Sequence, residues 1–562
     1  MTWLNAYAAR SCPTRTHFDV VRPAPPEPPA PLQRMLMDAG VAHEADVFAT
    51  LLRAYPKAVL IDQTTDTDTR HRHTRDAIKS RVPLILGGRL QDDMRIGEPD
   101  VLVAVTVNGK TGYAPLDVKT HETVTVTPSG ARIVTQNIDQ LDWPLHDTNP
   151  KPRPYGRQSG ATRRSLIQLA HYQALLETLG FSVDSEPWVG IIDQAMTVVW
   201  FCLDDPIGRH DDTSGLIHNP VSVNEIYTLE FAYRQAIADD AKNDPEAATR
   251  SRLAPPVQNP ECPHCPWRVH CQNLWDERQD VSLLPRVDRH VWSALHRAGL
   301  DTIPALAAQN PDMPVAGFTH STFQGLNDQA RARSGDAAVY RRRGVASVQV
   351  PRADIEVDID MENVENGAYL WGVYVSDNVD SGVCDVGYTA FADWDRDAAK
   401  ASVNTFARMW EQLTMLRDTA HANGMTFAAY CWSQQAENQW LRKGAKALGI
   451  TDEVDAFIAS YEWVDLYDVV RRQLITGHSN GLKTFAPLTG FAWRDNEAGG
   501  DQALVWWEQA TSPSLSPDEQ AAWRTRLLTY NEDDVLATLH VRRWLDAHRE
   551  ALPSILDWDV AG

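Results

Sequence analysis

Three groups of residues in this chain have the types and spacings that can do chemistry. In "DIDMEN" the acids Asp358, Asp360 and Glu362 occupy alternate positions, so on a strand all three project from one face. Like charges placed this way repel unless solvent or cations receive them, which suits them to a divalent metal. Downstream, "CWSQQAENQWL" offers Glu437, "WVDLYDVVRR" offers Asp465 and Asp468, and "LLTYNEDDVLAT" offers Tyr530, Asp533 and Asp534.

The second group lies nearer the start. Pro99-Asp100 opens one strand-like run and Asp117-Val118-Lys119 belongs to the next. Residues two apart on a strand share a face, so Asp117 and Lys119 point together and Asp100 approaches from the neighbouring strand. Two carboxylates can hold a divalent cation, while the lysine positions a water and neutralises charge developing on a phosphate. Glu44 supplies a further acid from a helix, and Gln168 and Tyr172 stand four apart on one helix face. Gly109-Lys110-Thr111 is not a P-loop, because Ala104 replaces the first glycine and "AVTVN" is strand-like.

The third group is thiol chemistry. Cys262, Cys265 and Cys271 fall within ten positions of a chain with seven cysteines, and Cys12 lies near its start. Four thiolates from both ends of a domain suit a [4Fe-4S] cluster or structural zinc; three thiolates with His264 or His270 also suit zinc. Cys202, Cys384 and Cys431 have apolar or aromatic neighbours and read as core thiols.

The elements that must position these residues are legible in outline. "DVLVAVTVNGKTGYAPLDVKT" predicts two strands around an Asn108-Gly109 turn. Helical periodicity marks about 34–53 and 163–180, a strand or hairpin marks 187–203, and a charged helical stretch covers 221–250. From 351 an acidic strand, a turn and a second apolar strand precede helices near 400–422, 436–449 and 531–548. Strands followed by helices predict an α/β unit. Residues 290–309 resemble a helix-hairpin-helix element inside a small helical linker.

With 562 residues, 43% hydrophobic and 23% charged, the chain has the composition of a globular protein of several domains. A net charge of −22 argues against nonspecific coating of nucleic acid, but not against an enzyme with a local groove and divalent cations. No apolar run approaches a membrane span and the N-terminus does not read as a signal peptide, so no membrane partner and a cytoplasmic location are expected. Reduced thiols there favour metal binding over disulfides.

The order Glu44, Pro99-Asp100, Asp117-x-Lys119, Gln168-x3-Tyr172 resembles the RecB-type PD-(D/E)XK nucleases. That resemblance implies Glu44, Asp100 and Asp117 as ligands of Mg²⁺ or Mn²⁺ and Lys119 as the catalytic lysine, with Gln168 and Tyr172 as the QxxxY pair. Several such nucleases carry one cysteine before the core and a C-x2-C-x5-C set after it, so the resemblance favours a [4Fe-4S] cluster on Cys12, Cys262, Cys265 and Cys271 over zinc. The D-x-E strand, middle aspartate and terminal Tyr-x3-Asp helix resemble the DEDD exonuclease branch of the RNase H-like fold. Implied there are Asp360, Glu362, Asp465 and Asp534 as acids binding two metal ions, with Tyr530 orienting the attacking water. Asp360/Glu362 is preferred to Asp358/Asp360 because it leaves the alternating "IEVDI" as the strand leading into the site. "SYEWVDLYDVV" lacks the usual context of the middle aspartate, Glu437 can take part of that role, and Lys483 can meet a phosphate.

The expected organisation is therefore a PD-(D/E)XK nuclease over 1–275 closed by its cysteines, a linker over 276–350 and an RNase H-like domain over 351–550. The expected function is a metal-dependent nuclease acting on DNA, with a possible second exonuclease site in the C-terminal domain and a separate helicase as a possible partner. The alternative is a noncatalytic nucleic-acid-binding or complex-assembly protein with degenerate nuclease domains.

Overall fold

Apolar alternation in the first half of the chain is spent on a mixed sheet. The computed structural model describes residues 3–121, 133–141, 160–205, 222–243, 253–497 and 499–558. Its seven strands there are β1 (Val59–Leu60), β2 (Leu84–Leu86), β3 (Val101–Val107), β4 (Lys110–Val118), β5 (Ile133–Asn137), β6 (Trp188–Ile192) and β7 (Thr197–Cys202). Their spatial order is β1-β2-β3-β4-β6-β7-β5. The β3–β4 hairpin turns through Asn108 at φ 51° and Gly109 at φ 78°, the left-handed pair whose twist matches that of the flanking strands. Helices α1 (Pro31–Ala54) and α2 (Gly160–Thr178) carry Glu44 and the Gln168/Tyr172 pair. Leu166, Leu169 and Ala170 of α2 pack on Val189, Ile191 and Val199 of the sheet.

The chain divides into two units, Met1–Leu274 and Trp275–Gly562. In the second, β8 (Ile355–Val364), β9 (Gly367–Asp377), β10 (Gly387–Ala392), β11 (Phe427–Cys431) and β12 (Trp463–Asp465) form a sheet in the order β10-β9-β8-β11-β12. The first three strands are an antiparallel meander, whereas β11 runs parallel to β8 and β12 parallel to β11. Parallel neighbours need crossovers, and α3 (Ala398–Ala422) and α4 (Gln435–Leu448) lie in them. The later helices are α5 (Leu482–Leu488), α6 (Gly500–Thr511) and α7 (Pro517–His548).

The register of β8 decides the site. Its odd residues Ile355, Val357, Ile359 and Met361 pack with Phe406, Met409, Trp410 and Leu413 of α3 and with Trp440 and Leu441 of α4. Burial of each large apolar side chain contributes roughly 1.5–3 kcal/mol. A slip by one residue would forfeit that and drive Glu356, Asp358, Asp360 and Glu362 into the same apolar layer. The acidic face is therefore turned toward α7.

Helix α7 starts at Pro517, earlier than the predicted 531. Ser516 and Glu519 form a reciprocal capping box with proline in the first turn. The added turns carry Leu527 and Tyr530 onto Trp506 and Trp507 of α6, a tertiary partner that local periodicity does not reveal. No helix among the described residues is long and apolar enough to cross a membrane.

Candidate active site

Four acids on one face of β8 meet two different fates. Glu356 and Asp358 are fully buried and clamp Arg542 of α7. The guanidinium donates to Asp358 through Nε at 3.2 Å and Nη2 at 2.5 Å, and it is paired with Glu356 as well. Glu356 also accepts from Arg352 at 2.7 Å and from the Tyr430 hydroxyl at 3.0 Å. Burial alone would raise the Glu356 carboxyl, but Arg352 and Arg542 outweigh it and bring the value down to about 2. This half of the face is a neutralised ion cluster, with both Asp358 oxygens engaged by Arg542.

The other half is compensated only in part, by Lys483 against Asp534. Carboxylate oxygens of Asp360, Glu362 and Asp534 lie within 4.8 Å of one another. Burial first, then the charges of Asp534, Glu362 and Glu437, hold the Asp360 carboxyl well above its usual range. Burial and then Asp534 do the same to Glu362. Asp534 is raised too, again by burial first, although Lys483, Trp493 and Tyr530 pull it back. A site whose acids resist ionising together is one a divalent cation stabilises, so the donor set fits Mg²⁺ or Mn²⁺.

Three supports orient these acids. Asn531 donates from Nδ2 to Asp360 Oδ2 at 2.8 Å, and its own Oδ1 accepts from the Tyr388 hydroxyl at 2.8 Å. Gly372 faces Asp360 across the β8–β9 pair. A Cβ on it would stand 1.9 Å from Asn531 Oδ1, so glycine is what admits the asparagine. Trp493 Nε1 donates to Asp534 Oδ1 at 2.6 Å, and Lys483 pairs with the same oxygen.

Of the expected C-terminal residues, Asp360, Glu362, Asp534 and Tyr530 come together, since Tyr530 bonds to Asp534. Asp533, one residue away, instead accepts from the Arg494 backbone and side chain at 2.9 and 2.7 Å. Asp465 stands outside the triad. Its Oδ1 accepts from the backbone of Ser433, Tyr467 and Asp468 and caps the helix Leu466–Gln473. Glu437 is closer in effect: it acts on both Asp360 and Glu362, its Oε2 is buried without a partner, and burial lifts it to about 8. Asn531, Trp493, Gly372 and Arg542 were not expected from sequence. Asn531 was discoverable, because it lies three residues before Asp534 on the same helix face.

In the first unit, Glu44, Asp100, Asp117, Lys119, Gln168 and Tyr172 line one cavity. Lys119 is paired with Asp117, whose Oδ1 accepts from Gln168 Nε2 at 3.2 Å. Gln168 also donates to the Tyr172 hydroxyl at 2.9 Å and accepts from Arg10 at 2.8 Å. Asp100 Oδ2 accepts from the Val118 amide at 2.6 Å. Burial, then Asp117, raises both Asp100 and Glu44.

The cysteine ends also approach, since the Cys12 amide donates to Glu261 at 2.9 Å. Burial, the largest influence on each, raises Cys262 to about 11 and lifts Cys265 and Cys271 as well. Among the described residues, the group of acids, thiols and imidazoles close enough to hold a metal ion is Asp360, Glu362 and Asp534, and it contains no cysteine. The expectation of a [4Fe-4S] cluster on Cys12, Cys262, Cys265 and Cys271, with zinc as its alternative, is overturned.

Comparison with known families bears on the second unit alone. Residues 354–546 match the RNase_H_2 family model of the RNase_H superfamily. No curated protein and no solved structure matches the chain. The α/β chain thus has a C-terminal RNase H-like domain, and its acidic triad supports nuclease-type catalysis at the level of that superfamily. The RecB-type PD-(D/E)XK identification of the N-terminal half is corrected. The family match covers residues 354–546 and does not extend to it, and Glu44, Asp100 and Asp117 do not form a metal-holding group among the described residues. Their shared order and cavity establish an acid-and-lysine pocket, and motifs this short arise on unrelated folds.

Proposed function

We propose that the C-terminal domain hydrolyses phosphodiester bonds in nucleic acid, with DNA as its substrate. The observation that carries this reading is the convergence of Asp360, Glu362 and Asp534 from β8 and α7 to within 4.8 Å, inside a domain that matches the RNase_H superfamily. Mg²⁺ or Mn²⁺ held by these acids would supply a nucleophilic water at neutral pH and neutralise charge on the phosphate.

The chain's own residues set the geometry. Asn531 fixes one Asp360 oxygen and leaves the other free. Tyr530 is kept as the neutral phenol by burial and then by Glu362, and it orients a water by hydrogen bonding rather than by taking a proton. Glu437 holds a proton near neutrality, and its unpartnered Oε2 is the atom that can accept or release one. Asp465 keeps a structural role as a helix cap.

The deciding experiment offers single-stranded DNA, duplex DNA and RNA to the full chain with Mn²⁺, beside Asp360→Asn and Asp534→Asn. Cleavage of DNA by the wild type and its loss in both variants is the expected result. A wild type that binds Mn²⁺ but cuts none of the three would leave a metal-binding nucleic-acid module without hydrolysis.

A further inference from the structure

Lys483 is an unusual occupant of an acidic cleft. It stands at the start of the short helix α5, and its ammonium pairs with Asp534 Oδ1, the same oxygen that accepts from Trp493 Nε1 at 2.6 Å. Two aromatic rings flank its path, with Nζ lying 4.3 Å from the ring centroids of both Trp493 and Tyr530. The Lys483 side chain is 35% exposed, whereas that of Asp534 is 9% exposed. Lys483 is thus the more exposed partner of the pair. It is the cation that acts on Asp360, Glu362 and Asp534 alike.

A divalent ion held by oxygens of all three acids would sit against the Asp534 carboxylate, whose Oδ1 the ammonium now pairs with. Two cations do not share one carboxylate oxygen at contact distance without strong repulsion. A lysine can yield, because its charge is compact and rides on a flexible four-carbon stem. The aromatic faces stabilise it on either side of that move through cation–π attraction. The anion that the proposed substrate brings to the cleft mouth is a phosphate.

We infer that Lys483 is an exchangeable counter-ion: it occupies Asp534 while the site lacks metal, is displaced when a divalent cation binds, and then pairs with a backbone phosphate of the nucleic acid. This rests on the metal-dependent reading of the triad. It makes Lys483 a positioning residue for the empty site and a substrate contact for the loaded one. Metal binding and substrate binding become linked through one side chain, without any change in the protonation of Lys483.

The test compares wild type, Lys483→Met, Lys483→Gln and Lys483→Arg. Mn²⁺ affinity is read by calorimetry, and binding of a single-stranded oligodeoxynucleotide is followed in Ca²⁺ across a salt series. Removing a competing cation should tighten Mn²⁺ several-fold in Lys483→Met and Lys483→Gln. A lysine that merely supports the fold would weaken it. The slope of log affinity against log salt should fall by about 0.7 in the same two variants, the loss of one phosphate contact on a single strand, and Lys483→Arg should retain it. Mn²⁺ bound no more tightly by either neutral variant, or an unchanged salt slope, overturns the exchange. A wild type that takes up no Mn²⁺ overturns the metal reading beneath it, which is a separable result. Circular dichroism of both neutral variants guards against a folding defect in either one.

Discussion

Asn531 reaches Asp360 across the space left by the missing side chain of Gly372: the amide donates at 2.8 Å to Asp360 Oδ2, and a Cβ on Gly372 would stand 1.9 Å from the amide oxygen. Gly372→Ala should therefore push Asn531 off Asp360. Overpacking of this kind costs about 1–3 kcal/mol, visible as an earlier urea midpoint. Mn²⁺ affinity should fall with it, and full Mn²⁺ affinity in the variant would show that the contact does not orient the acid.

Arg542 is the counterpart on the other half of the same strand face. Arg542→Met would leave Asp358 buried without its counter-charge and Glu356 with Arg352 as its remaining cation, and breaking a buried pair on one side costs roughly 3–5 kcal/mol. Denaturant titration should show that loss. Lys should rescue poorly, because one ammonium cannot reproduce the fork that bonds two carboxylates.

Asp360→Asn should separate stability from function. It removes one of three mutually repelling acids, so the metal-free protein should gain about 1 kcal/mol while Mn²⁺ binding and cleavage are lost. A destabilised metal-free variant would contradict the repulsion assigned to the triad.

The pH dependence of the metal-free protein should carry the signature of Glu437. Burial raises its folded value to about 8, against 4.5 for the free side chain. Between those values the folded state binds a proton that the unfolded state has released, so this residue makes stability fall as pH rises from about 4.5 to 8. Below that window its contribution is flat. Glu437→Gln should flatten the decline, as followed by melting temperature in EDTA, and an unchanged profile would mean that Glu437 is not the group responsible.

Asp465→Asn and Glu437→Gln together decide which acid serves beside the triad. Asparagine caps a helix about as well as aspartate, so Asp465→Asn should stay within about threefold of wild-type cleavage. Glu437→Gln should lose about 10²-fold or more if its carboxyl handles a proton. The reverse outcome would restore Asp465 to the site.

Backbone periodicity in the sequence was enough to place most of the elements and the acids that share a face, though not the start of α7 at Pro517. Alternation over 355–362 settled that Asp358, Asp360 and Glu362 project together, and the four-residue step from Tyr530 to Asp534 settled that they lie on one side of a helix. Both follow from backbone period alone. The sequence also determined the Asn108-Gly109 hairpin, because that turn needs two left-handed residues. The tertiary structure alone decided how those acids divide. Arg542 comes from a point far along the chain to neutralise Glu356 and Asp358, and nothing local to β8 announces it. Asp465 caps the helix Leu466–Gln473 through Oδ1 and stands outside the triad, while Glu437 is buried beside the triad on α4. The cysteines show the limit most plainly. Spacing brought Cys262, Cys265 and Cys271 together along the chain, but holding a metal depends on whether the fold gathers ligand atoms around one point, and among the described residues the acids Asp360, Glu362 and Asp534 are the group that does.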